Sequence, residues 1–240
     1  GYGHLYMHLQ TGRNVVKKIS FILCILGILI CIGACGDSTA SDNALEEAYD
    51  NLYKNDFSYT YTIITETSDG KEEGTYTGEV QASPYIEYRD CSEVSSVTPE
   101  IYYYGNHRMV DVKMKTTDGK WIQQKTTRPY LTGYHEQLDI LSEEEAEIDD
   151  VSCTKYNAQY TESVGKLKAL VPLEVYLDSS TSQIKRIVVD ETGLMKKTEV
   201  ANLMNTKGMS EEEAEKAAEK DWDANESHKY IINITYGEVN

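Results

Sequence analysis

The stretch Ile32-Gly33-Ala34-Cys35 is where residue type and spacing most directly prescribe a chemistry. The thiol is the nucleophile. The aliphatic and two small residues ahead of it leave the backbone slim enough to enter a signal peptidase, which fits a lipid-attachment site at Cys35. Upstream, Lys17-Lys18 supply a positive end and Ile19 to Ala34 an apolar run. That run is shorter than the roughly 20 residues of a spanning helix. It reads as an export signal that is cleaved, leaving Cys35 as the lipidated N-terminus.

The remaining reactive side chains are scattered. After Cys35 there is no Gly-x-Ser-x-Gly elbow, His-Glu-x-x-His helix, phosphate loop or Cys-x-x-Cys pair, so no catalytic residue, metal ligand or cofactor is assigned. His107, His135 and His228 each stand alone among polar neighbours and read as surface or loop histidines. Glu143-Glu144-Glu145 and Glu211-Glu212-Glu213 lack the spaced oxygens and central glycine of a calcium loop, and solvated helix starts explain them better. Cys91 and Cys153 are the thiols left once the signal is removed and Cys35 acylated. In an exported protein they form a disulfide or lie apart as small buried hydrophobes. Tyr102-Tyr103-Tyr104 reads as a core ring flanked by two wet ones, the alternative being an aromatic patch for carbohydrate or a partner.

Charge excludes one class of partner. Removing residues 1–34 takes away Arg13, Lys17 and Lys18 and no acid, which leaves 20 basic residues against 40 acidic ones. Such a polyanion cannot neutralise phosphates, so nucleic acid is excluded, and an anionic membrane surface repels it. The lipid on Cys35 must do the anchoring, on the extracytoplasmic face of the cell membrane. Three segments follow: 1–34 as signal and upstream residues, 35–43 as a lipidated polar tether, and 44–240 as a single extracytoplasmic domain. Nineteen tyrosines against two phenylalanines and two tryptophans suit a sheet with one wet face.

The elements can be placed from local signals. Asn43 with Glu46 three residues later caps a helix whose stripe is Leu45, Ala48, Tyr49, Leu52 and Tyr53. Phe57, Tyr59, Tyr61 and Ile63 then alternate with polar residues along a half-buried strand. Ser68-Asp69-Gly70-Lys71 and Thr117-Asp118-Gly119-Lys120 mark two hairpins, with further strands near 85–90, 100–105, 153–160, 173–178 and 184–190. Glu143 to Asp150 reads as an acidic connection. Two helices, 193–205 and about 211–224, precede a last strand at 230–236, and Ser210 with Glu213 forms a capping box for the second. The fold class is α+β: a curved antiparallel sheet wrapped on the N-terminal helix, with two further helices near the C-terminus.

Ile32-Gly33-Ala34-Cys35 resembles the bacterial lipobox. The order that follows it, tether, amphipathic helix and Tyr- and Thr-rich meander, resembles the LolA-like half-barrel lipoproteins, including small bacterial surface lipoproteins. The stretches that carry this are Ser58-Tyr59-Thr60-Tyr61, and Pro172 to Asp178 leading into Ile184 to Val189. The resemblance implies a sheet curved around a helix, with lipid or acyl chains held in the concavity of several members. The helices between 193 and 224 depart from the simplest form and move any cavity mouth. The leading functional reading is a non-catalytic carrier or binder of an apolar or amphipathic ligand, faced by Phe57, Tyr59, Tyr61, Ile63, Ala48 and Leu52. An envelope protein-interaction module with no small-molecule ligand is the alternative, and an extracytoplasmic enzyme comes last.

Overall fold

A computed structural model describes residues 40–105, 109–129, 131, 138–237 and 239, with the backbone alone at 40–43, 127 and 221. Cys35, His107 and His135 lie outside the described residues. The first helix, α1 (Ala40–Leu52), starts three residues ahead of Asn43 and takes up the end of the expected tether. Asn43 is therefore inside the first turn and not its cap; Ala40 is a strong helix former that extends the helix backwards. Past its end, Asn55 donates through Nδ2 to the Asn51 carbonyl at 2.6 Å, satisfying one of the carbonyls a helix end leaves open.

Among the described residues, eleven antiparallel strands form one curved open sheet: β1 (Phe57–Thr67), β2 (Gly70–Gln81), β3 (Ile86–Asp90), β4 (Glu100–Tyr104), β5 (Met109–Lys115), β6 (Trp121–Thr127), β7 (Asp139–Ile148), β8 (Val151–Val164), β9 (Leu167–Asp178), β10 (Ile184–Asp190) and β11 (Ser227–Tyr236). Their order is β6-β5-β4-β3-β2-β1-β11-β10-β9-β8-β7. Two meanders thus run outward from the centre, where the first and last strands pair along ten residues, Phe57 opposite Tyr236 to Glu66 opposite Ser227. This closure leaves β6 and β7, consecutive in the chain, at opposite edges. Of the residues between them, Leu131 is held just past the end of α1, its N–H donating to Tyr53 Oη at 2.9 Å, and the Arg128 guanidinium lies 3.9 Å from the centre of the Tyr85 ring.

Directly opposite residues share a face. Phe57, Tyr59, Tyr61 and Ile63 therefore stand with Val80, Gly78, Tyr76 and Gly74 of β2 and with Tyr236, Ile234, Ile232 and Tyr230 of β11. The inner face so defined meets the α1 stripe in one core containing Leu45, Ala48, Tyr49, Leu52, Phe57 and Tyr59, as expected from the two earliest apolar surfaces of the domain. The helix backbone comes nearest β10 and β7, across the sheet from β1. Gly78 is required by a close approach: a Cβ there would sit 2.1 Å from Cζ of Tyr59, whose ring lies across β2 on its way to β3.

The acidic segment corrects one expectation. Residues 143–150 are not a connection, and Glu143-Glu144-Glu145 does not start a helix: it lies in β7, paired with β8 from Ile148 opposite Val151 outward. An edge strand exposed along most of its length shows no burial period, so its pattern looks like a loop. The overlooked signal is Asp149-Asp150, both at positive φ (52° and 64°), which makes the primed two-residue turn of the β7–β8 hairpin.

Two helices cover the far end of the second meander. α2 (Thr192–Lys207) ends at Gly208, whose φ of 65° is the left-handed cap that favours glycine. α3 (Glu211–Asp221) begins with the expected capping box: the Glu213 N–H donates to Ser210 Oγ, and Glu213 Oε2 accepts from the Ser210 N–H at 3.0 Å. Both helices pack with the β8–β9 tip in a second core of Leu167, Val200, Ala201, Leu203, Ala214 and Ala218. No helix among the described residues is long and apolar enough to cross a membrane.

Candidate functional site

The residues expected to face a ligand are brought together but packed. Ala48, Leu52, Phe57 and Tyr59 are each no more than 3% exposed. Tyr61 is half-buried and stacked between Tyr76 and Tyr230, with ring centres 4.6 and 4.8 Å away. Ile63 is buried further along β1, outside that core cluster. The cause is aromatic volume. Tyrosines from three adjacent strands stack on one another at this part of the inner face.

Beside them the inner face holds a buried polar cluster. Glu87 accepts from Tyr59 Oη at 2.6 Å, from Tyr85 Oη at 2.5 Å and from Arg89 Nε at 2.6 Å. Burial pushes the Tyr59 and Tyr85 hydroxyls well above their usual range, so both remain donors. The Arg89 guanidinium lies between the Tyr76 and Tyr103 rings, 6.0 and 4.8 Å from their centres. Sequence reading missed this cluster, because a Glu-x-Arg pair on a short strand looks like ordinary wet-face polarity. The signal lies in the alternation: Glu87 and Arg89 share a face with Tyr85, opposite in sense to Tyr88.

An open cleft lies elsewhere, between the β8–β9 tip and α2. Its volume is about 300 Å³, and its lining includes Val164, Leu167, Ala201, Met204 and Met209, with Lys166 the sole ionisable residue. These apolar side chains share the wall with Lys166, Asn205 and exposed backbone, and methionine adapts its shape to what it touches. Along the same face of β8, next to Val164, comes Glu162, opposite Ala169, and then Tyr160, opposite Val171. Glu191, at the cap of α2, is held here as well: burial, with the carboxylates of Glu162 and Asp190 nearby, pushes its pKa up to about 7. Tyr160 and Tyr230 hydrogen-bond to one another beside this carboxylate pair. The cleft is thus of mixed polarity with an acidic cluster behind it.

The other expected sites resolve simply. Cys91 and Cys153 are both buried and both free, so no disulfide joins them. Cys91 follows β3 beside Arg89, Asp90 and Glu87, whereas Cys153 lies on β8 near Asp178, Lys185 and Arg186. Their strands stand six places apart in the sheet order, and a bridge needs Cα atoms within about 7 Å. Burial pushes the Cys91 thiol up to about 11, away from nucleophilic chemistry. His228 is not a surface histidine. It is buried on β11, with Nε2 2.8 Å from Glu226 Oε1 and Nδ1 3.3 Å from Thr65 Oγ1, because its strand pairs centrally with β1. Among the described residues no three His, Cys, Asp or Glu side chains gather to hold a metal ion. Tyr103 is in the core, and Tyr102 and Tyr104 are half-buried on the outer face.

No protein-family model and no curated protein matches the chain. Solved structures with a similar fold include LprF from Mycobacterium bovis, 10% identical, TM-score 0.41, over 85% of this chain and 97% of that one. A LolA superfamily protein from Nitrosomonas europaea is 12% identical, TM-score 0.37, over 85% and 96%. A DUF1329 family protein from Desulfovibrio piger is 9% identical, TM-score 0.33, over 83% and 92%.

Proposed function

We propose that the chain is a lipid-anchored extracytoplasmic binding protein, non-catalytic, that holds an apolar or amphipathic ligand. The observation that carries this is the cleft of about 300 Å³ lined by Val164, Leu167, Ala201, Met204 and Met209. That volume is at the small end for ligand sites, whose walls are mainly apolar with a few polar groups. A single ionisable residue, Lys166, is a poor acid–base device but a suitable contact for the polar end of an amphiphile. In this reading the ligand lies at the second meander, in the cleft beside α2.

Anchoring fits the same picture. Only Gly36 to Thr39 separate Cys35 from α1, and four residues span at most roughly 14 Å, so a lipid on Cys35 keeps the domain at the membrane surface. Cys35→Ser is expected to abolish labelled palmitate incorporation and to leave an unprocessed or released protein. Continued labelling and membrane partitioning would remove the anchor from the proposal.

The ligand reading is tested with an environment-sensitive anilinonaphthalene dye on the purified protein. Saturable binding at one site per chain is expected, weakened at least about tenfold by Met204→Trp, which fills the cleft from its half-buried wall. Circular dichroism on the same variant checks that the fold is retained. Absence of saturable uptake by the wild type, or undiminished uptake by a folded Met204→Trp, overturns it.

A further inference from the structure

The two edges of the sheet are built differently. β7 carries Asp139, Glu143, Glu144, Glu145 and Glu147 and has a register shift between Ile140 and Ser142. Charges and bulges of this kind keep an edge from pairing with another chain. β6 has no acid, no proline and no register shift against β5. Trp121 and Ile122 are 46% and 50% exposed, Met109 on β5 is 53% exposed, and Gln123, Gln124 and Lys125 are exposed too. Among the described residues β6 has one strand neighbour. A regular strand that no other described strand covers, with apolar groups exposed at that edge, is a template for strand addition.

We propose that β6 is a self-association edge: two copies of the chain pair their β6 strands antiparallel about a two-fold axis at Gln124. The charge pattern selects a second copy. In this register Gln124 faces Gln124 of the other copy, Lys125 faces Gln123, and Ile122 faces Thr126, so no like charges stand opposite. β7 paired with itself would set its glutamates against one another. A two-fold edge pair also closes on itself, whereas β6 on β7 would propagate into open chains. Each chain carries a net charge of −17, so association strengthens with ionic strength as the mutual repulsion is screened.

The test uses the full-length chain in detergent at about 100 μM, mildly oxidised, with Gln124→Cys compared to Gln123→Cys. Trypsin releases the segment Trp121–Lys125, so a linked pair of that peptide in the mass spectrum reports the bond at this edge whatever other thiols do. Directly opposite Cβ atoms are about 5 Å apart and diagonal ones about 7–8 Å, so linking at position 124 should exceed that at 123 by about tenfold. It should rise with salt and vanish when Ile122→Glu, a charge on the inner side of the edge that adds no trypsin site, is added to Gln124→Cys. Equal linking at both positions, linking at neither, or association in species larger than dimers overturns the proposal. Dye uptake at the cleft does not enter the readout, so the two readings stand or fall separately.

Discussion

Glu87→Ala is expected to destabilise the folded domain by about 3–5 kcal/mol, the range for removing one partner of a buried ion pair. Its side chain and that of Arg89 are 4% and 10% exposed, so water cannot take over the lost contacts. The change strands the Arg89 charge between two rings and removes the acceptor of the Tyr59 and Tyr85 hydroxyls together. The penalty of unpaired buried groups dominates, not the Coulomb energy of the pair. Urea unfolding measures it as a fall in midpoint at constant slope. The double variant Glu87→Leu with Arg89→Leu should recover much of the loss, since well-packed apolar replacements of buried pairs are often neutral. A loss below about 1 kcal/mol for Glu87→Ala would show that the cluster is not a structural linchpin of the inner face.

Glu191→Gln is expected to stabilise the protein at alkaline pH and leave it unchanged at acid pH. The folded carboxyl titrates at about 7 against a usual value of 4.5. Below 4.5 both folded and unfolded states hold the proton. Between 4.5 and 7 the unfolded chain releases it while the folded one retains it, so stability falls as pH rises. Above 7 both are ionised and the full loss, about 3 kcal/mol, is reached. The glutamine side chain carries no such ionisation, so the difference between variant and wild type should grow from near zero at about pH 4 to that figure at about pH 8. Glu162 and Asp190 face Glu191, and Tyr160 and Tyr230 lie beside it, so burial of the carboxyl sets most of the effect and repulsion from the two neighbouring carboxylates adds to it. A difference independent of pH would locate the proton elsewhere.

Much of the fold was legible in the residues. The alternation of Phe57, Tyr59, Tyr61 and Ile63, the Asp-Gly turns and the Ser210–Glu213 box are local codes, and each element formed where its code placed it. Less of the candidate site was legible. Glu87 and Arg89 on β3 become an interior pair only because β2 and β4 flank them and a glycine at 78 lets Tyr59 reach across. The cleft needs Leu167, Ala201 and Met209, which no short window of sequence contains.

By itself the sequence determined the secondary structure along most of the chain, the α+β class and the acidic surface, because period, caps and turn residues act within a few positions of one another. It also carries the lipid-attachment chemistry expected at Cys35. Tertiary structure alone decided that β1 and β11 meet, that β6 and β7 become edges, that Cys91 and Cys153 are separated, and that a cleft opens at α2. These outcomes depend on pairings between segments far apart in the chain. Their free energy comes from faces that exist only once both partners are folded, so no local pattern records them.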